Sequence, residues 1–159
     1  MASTFFNGGI TALLSAGSPY LSSTLKVMLL ATATAYTFDR DDDFVSEGGG
    51  NDPDDAEVTV SGYAGGFGNA GRKTLASKTV TVDDTNDWAK LDAADFTGGT
   101  TWSALASGET IAAAILIEEI TNDSASVLLI YLDPADLATN GSDMDLSFHA
   151  NGLGTVTTV

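Results

Sequence analysis

Residues 110–132 read TIAAAILIEEITNDSASVLLIYL. How this stretch folds decides the fold of the chain. Its first part, residues 110–120, is ambiguous: Ala and Glu favour helix, Ile favours strand, and a short apolar run has no decisive period. Its second part, residues 126–132, is dense in Val, Leu, Ile and Tyr and reads as a strand. The intervening TNDSA is short enough for a hairpin connection, so both parts are expected to be paired strands.

The same reading extends outward in both directions. Residues 24–31 (TLKVMLLA) form a short apolar run that reads as a buried strand. Residues 57–62 (EVTVSG) and 72–82 (RKTLASKTVTV) alternate polar with apolar at period two, as half-buried strands do. DDTND at 83–87 is a turn, and WAKLDAADF at 88–96 alternates again. Asp133-Pro134 ends the strand before it. DMDLSF (143–148) and GTVTTV (154–159) are the last two strands, joined by HANGLG with the hairpin signal Asn151-Gly152. With no secure long helix, about eight short strands separated by turn signals predict an all-β chain, an antiparallel sandwich or barrel-like domain.

The chain has 159 residues, the length of one domain, and no internal repeat stands out. The expected organisation is an N-terminal arm or short helix over residues 1–23 and a single β domain over 24–159. EGGGNDPDD at 47–55 is a surface loop and not a domain boundary.

Composition excludes several functions. Acids outnumber Lys and Arg by 22 to 6, for a net charge of −16, which repels nucleic acid and anionic lipid. Of the acids, 17 are Asp and 5 are Glu, so the charge is expected on turns and strand ends. Cys is absent and His149 is the single His, which excludes disulfides, thiolate sites and multi-His metal centres. No run of about 20 apolar residues offers a membrane span. No Lys or Arg precedes Lys26, so no signal-peptide n-region is expected.

Four constellations bear on chemistry. Asp39, Asp41 and Asp43, with Asp42, have spacing that can offer hard oxygens to Ca²⁺. The EF-hand pattern fails there, because Phe44 and Gly50 stand where Gly and the bidentate Glu are needed; a solvated acidic face is the favoured reading. Gly66 to Gly71 matches G-x-G-x-x-G, but a strand pattern follows it and not the helix that would meet a phosphate. A loop with positive φ or close backbone approach is expected instead. His149 near Asp143 and Asp145 lacks a nucleophile elbow. Glu118 and Glu119 are adjacent, so on a strand they point to opposite faces and cannot flank one glycosidic bond. No enzyme, no cofactor and no metal are expected. Trp88, Phe96 and Trp102 are expected in a core or an interface.

Several of these segments resemble a family of small structural proteins of tailed-bacteriophage virions. Gly62, Tyr63, Gly65 and Gly66 resemble its GY-x-x-GG turn, with one residue fewer between the tyrosine and the glycine pair. Asp92, Ala93, Asp95 and Trp102 match its DA-x-D…W segment, and residues 151–154 its closing hairpin. The resemblance covers roughly residues 24–159. The chain departs from it by an inserted segment at 97–101 and by the acidic stretch DRDDDFVSEGGGNDPDD. The resemblance implies a capsid decoration (cement) protein, made in the host cytoplasm and placed on the outer capsid surface. Its partners would be the major capsid protein and further copies of itself, as a homotrimer. Phe5, Phe6, Ile10 and Leu13, in an extended N-terminal arm, are the expected contact residues. The alternative is a tail- or fibre-associated protein contacting the host surface.

Overall fold

The structure, a computed structural model, describes residues 2–14, 19–32, 36–85 and 88–157. The fold is all-β and sandwich-like, with two antiparallel sheets and two short helices. The strands are β1 (Ala2–Phe5), β2 (Leu25–Ala31), β3 (Lys73–Thr74), β4 (Thr79–Asp83), β5 (Trp88–Asp92), β6 (Thr110–Glu118), β7 (Val127–Asp133), β8 (Leu137–Ala138) and β9 (Gly154–Thr157). The helices are α1 (Asn7–Leu14) and α2 (Pro19–Ser22). The large sheet has the order β1-β7-β6-β2-β3, with β8 also paired to β6. The small sheet has the order β4-β5-β9.

The ambiguous run 110–120 is a strand over Thr110–Glu118, paired on one side with β2 and on the other with β7. Its continuous apolar character has a physical cause: the large sheet is covered on both faces. Leu25, Val27 and Leu29 pack with Leu91, Phe96, Trp102 and Leu153 between the sheets. Met28, Leu30, Ile115 and Ile117 pack on the other face with Phe6, Val45 and Ala56. A strand buried on both faces has no polar side to alternate with.

Two register shifts bend this sheet, between Leu30 and Ala31 of β2 against β6, and between Leu116 and Ile117 of β6 against β7. At the second shift Leu129 of β7 is the extra residue, so Leu128 joins one core while Leu129 and Ile130 join the other. The Leu129 carbonyl accepts the Phe6 N–H at 3.2 Å. Gly9 of α1 lies directly on this bulge: a Cβ there would stand 2.5 Å from the Leu129 oxygen, so only glycine fits.

The N-terminal segment is therefore not an extended arm. β1 pairs with β7 over four residues, and Phe6 is fully buried. Residues 2–14 are part of the large sheet and its cover, and the boundary expected at residue 23 separates no independent unit.

Other strands are shorter than expected. Residues 57–62 form no strand beyond a single bridge between Glu57 and Leu30, because Glu57 turns inward to a buried cation. The run 72–82 is broken into β3 and β4 at Ser77, which takes a positive φ of 52°. Residues 143–148 make isolated bridges from Met144 to Trp102 and from Leu146 to Phe96. Their expected hairpin partner, β9, pairs with β5 instead, and the Asn151-Gly152 turn closes only the bridge between His149 and Gly152. Residues 158–159 and 86–87, part of the expected last strand and turn, lie outside the described residues.

Candidate functional site

The densest group of buried polar side chains is centred on Arg72, at 2% exposure. A chain with six Lys and Arg against 22 acids has placed one cation in its interior. A buried charge is tolerated only when paired and hydrogen-bonded. Arg72 Nε donates to Glu57 Oε1 at 2.9 Å, and Nη2 donates to Glu57 Oε2 at 2.8 Å. Its Nη1 meets Asp123, and Glu119 lies 3.7 Å from the same nitrogen. Lys26 closes the group by pairing with Glu119. Burial works to lower the Arg72 pKa, but the Glu57 and Asp123 carboxylates outweigh it and hold the guanidinium protonated.

The segment of the resemblance, GYAGG at 62–66, wraps this pair. The Tyr63 hydroxyl donates to Glu57 Oε1 at 2.8 Å and accepts the Leu29 N–H at 3.2 Å. Burial first, then the Glu57 charge, pushes the phenol well above its ordinary pKa, so it stays a neutral donor. Gly62 has φ +97°, and a Cβ there would stand 2.7 Å from the Ala104 oxygen. The Gly66 N–H donates to Glu57 Oε2 at 2.9 Å, and the Gly68 N–H to Glu119 Oε1 at 3.0 Å. A glycine-rich loop aims its N–H groups at an anion; here the anions are the chain's own carboxylates. The loop is thus the positive-φ turn expected from its sequence. Trp102, nearly fully buried, donates its indole N–H to the Gly71 carbonyl at 2.6 Å, tying the DA-x-D…W segment to the same loop.

The acidic stretch covers the other face of the large sheet. Phe38 stacks against Phe6 and Tyr131, with ring centroids 5.0 and 4.8 Å apart. Its carboxylates fold it on itself. Asp52 Oδ2 accepts the N–H groups of Glu47, Gly48 and Gly49 at 2.8, 2.6 and 3.1 Å. Burial opposes ionisation of Asp52, and these three donors outweigh it, so its pKa lies below the usual carboxylate range. Asp42 and Asp54 are raised, each by burial first and then by neighbouring acids. For Asp42, a hydrogen bond from Tyr36 partly offsets the rise.

Asp39, Asp41 and Asp43 do not converge as ligands. Asp39 Oδ1 accepts the Asp41 N–H at 3.0 Å, Asp41 Oδ1 accepts Asn7 Nδ2 at 2.7 Å, and Asp43 packs against Gly8. Among the described residues, the carboxylates that approach one another as a trio are Asp52, Asp54 and Asp55, which spacing did not single out. His149 Nδ1 accepts the Asn151 N–H at 3.0 Å and serves a turn. Glu119 joins the Arg72 group, whereas Glu118 acts on Lys78.

The four expected contact residues separate. Phe6 is core, Phe5 and Leu13 are half-buried, and Ile10 is 36% exposed. Leu14, one turn beyond Ile10, is 74% exposed, and Leu21 of α2 is 59% exposed. Neither Leu14 nor Leu21 is singled out by the sequence; the i, i+4 spacing of Ile10 and Leu14 on a helix is a signal for Leu14, and Leu21 has none. Arg72, Glu57 and Asp123 were missed because the partners of Arg72 lie 15 to 51 residues away along the chain.

No helix is long and apolar enough to cross a membrane among the described residues. No known protein family, curated protein or solved structure matches this chain.

Proposed function

We propose that this chain is a structural surface protein, a capsid decoration protein that binds the outer face of an assembled shell as a homo-oligomer and stabilises contacts between major capsid subunits. The observation that carries this reading is where the polar groups are used. The buried polar side chains hold the fold: Glu57 and Arg72 each other, Ser126 the Asn122 carbonyl at 2.7 Å, and Thr139 the Glu109 carbonyl at 3.0 Å. The motifs of the resemblance, Tyr63 with its glycines and Trp102, are spent on the same scaffold. Turned outward are the acidic loop and apolar side chains, among them Ile10 and Leu14 of α1 and Leu21 of α2. A rigid β scaffold with such a surface suits binding to an ordered array of subunits. Repeated weak contacts add in such an array, and a ligand of the assembled state stabilises that state.

The contact surface is accordingly assigned to the outer face of α1 and α2, with Ile10 retained from the sequence reading and Phe6 withdrawn from it. The experiment is co-sedimentation with shells stripped of this chain. The unmodified protein should sediment with them. The double variant I10D/L14D should stay in the supernatant while its circular dichroism is unchanged. Retention of that variant on the shells would place the contact elsewhere, and failure of the unmodified protein to bind would remove the decoration reading.

A second reading draws on Phe67, 39% exposed at the tip of the glycine-rich loop. An aromatic at a loop tip suits a tail or fibre protein that touches glycans or cells. Cell binding abolished by F67A would favour it.

A further inference from the structure

The small sheet ends on an open edge. β4 pairs with β5 on one side, and the described residues supply no strand to its other side. The opposite end of this sheet is not comparable: β9 lies beside β1, with the Phe5 ring packed where a Gly154 side chain would stand. β3, at the edge of the large sheet, has only two residues, one of them Lys73.

Over Thr79–Val82 the β4 edge lacks the devices that keep edges apart, and the one charge in the strand is Asp83 at its end. Proteins blunt exposed strands with Pro, with charge, with bulges or with a covering loop. Thr79, Val80, Thr81 and Val82 carry no charge and no Pro, and their register with β5 is unbroken. All four are exposed, Val80 at 45% and Val82 at 74%. Val80 and Val82 share one face with Leu91 and Ala89 of β5. The apolar side of this ribbon is therefore continuous up to the edge and stops there in water.

We propose that the β4 edge is a pairing surface for a second copy of the same chain, joined antiparallel about a two-fold axis through Thr81. The strand is self-complementary in that register. Val80 stands opposite the partner's Val82, Thr81 opposite the partner's Thr81, and Thr79 opposite the partner's Asp83. Apolar cross-strand pairs and Thr–Thr pairs are the stabilising kind. Charge selects the same occupant. Two chains of −16 repel, and they approach at least cost where carboxylates are few; no acid occurs from Val58 to Val82, and Asp83, the last residue of β4, falls opposite an uncharged Thr79. The edge has no cation in Thr79–Val82 to draw an acidic peptide, and no acid there to draw a basic one. Strand addition supplies main-chain hydrogen bonds, and the apolar face is extended across six strands. An isologous contact closes on two copies. If the protein is a trimer on a shell, the same contact joins one trimer to the next. The inference does not rest on the decoration reading, since purified protein alone tests it.

The absence of Cys makes the test clean, because an introduced thiol is the only one. In the proposed register the two Thr81 Cα atoms lie about 4.5–5.5 Å apart, within the span a disulfide bridges, about 4.4–6.8 Å. The two Thr79 positions are offset by four residues, about 14 Å, and cannot be bridged. Under mild oxidation T81C should give a covalent dimer at least about tenfold faster than T79C. Both side chains are exposed, so neither substitution disturbs packing. Sedimentation should show self-association of the unmodified protein, weakened at least about tenfold by V82K, with circular dichroism unchanged. Equal cross-linking of T81C and T79C would overturn the register. A protein that remains monomeric at about 1 mM, a binding free energy weaker than about 4 kcal/mol, would overturn the pairing.

Discussion

Arg72 grips Glu57 through two parallel hydrogen bonds, 2.9 and 2.8 Å long, with the arginine side chain wholly removed from water and the glutamate nearly so. Bidentate geometry of this kind is specific as well as strong. It fixes how the glycine-rich loop, the start of β3 and the turn before β7 meet.

Removing one partner of such a pair costs more than the pair contributes, because the other charge is left buried. R72A leaves Glu57 and Asp123 without their cation, while Glu119 keeps Lys26. The expected loss is about 3–5 kcal/mol. For a chain of this length that is a fall in Tm of about 6–20 °C. Thermal melts followed by circular dichroism measure it, and a loss under about 1 kcal/mol would mean that the group is not holding the fold.

The N-terminal segment gives a second prediction. F6A should destabilise the protein by about 3–5 kcal/mol, as loss of a buried phenylalanine does. G9A should cost about 1–3 kcal/mol by overpacking against the Leu129 backbone. An arm that ordered only on a partner would show neither effect in the isolated protein. Urea unfolding of the two variants separates the cases. Deleting residues 2–14 would not, because it removes β1 and α1 along with any contact.

The acidic stretch predicts an unusual pH profile. Asp42 and Asp54 have folded pKa values above their unfolded ones, near 3.9. A raised carboxyl favours the folded state when protonated, so its stabilisation is complete below the unfolded pKa and is lost as pH rises through the folded pKa. Asp52 is lowered, so its contribution is present above the unfolded pKa and lost as pH falls through the folded one. Stability should therefore rise as pH falls from neutral toward the upper carboxylate range, then drop in stronger acid. D54N should raise Tm at pH 7 and flatten the rise on acidification. A Tm that falls steadily from pH 7 downward would contradict the assignment.

Much of the large sheet was legible in the sequence. Leu25–Ala31 and Val127–Asp133 are dense apolar runs that local composition finds, and Thr110–Glu118, ambiguous by itself, was settled by its hairpin partner. Where the reading failed, a distant partner had overridden a local pattern. EVTVSG alternates as a strand does, yet Glu57 is taken by Arg72 and the alternation is never used in a sheet. Asn151-Gly152 is a sound turn, but nothing local says that the strand after it pairs with Trp88–Asp92 and not with residues 143–148. Phe5 and Phe6 sit side by side in the sequence and pack against opposite faces of the large sheet, one ring half-buried and the other fully buried. Of the apolar side chains exposed on the two helices, Ile10 is singled out in the sequence reading, while Leu14 and Leu21 needed α1 and α2 in place.

On the decoration reading the chain is encoded by a phage, and the measurement that tests that reading most directly is the copy number of this chain relative to the major capsid protein in purified particles. Quantitative mass spectrometry gives that ratio. The account predicts one copy per capsid subunit, or a simple fraction set by shell symmetry. A handful of copies per particle would contradict it and point to the tail, and none at all would remove the chain from the virion.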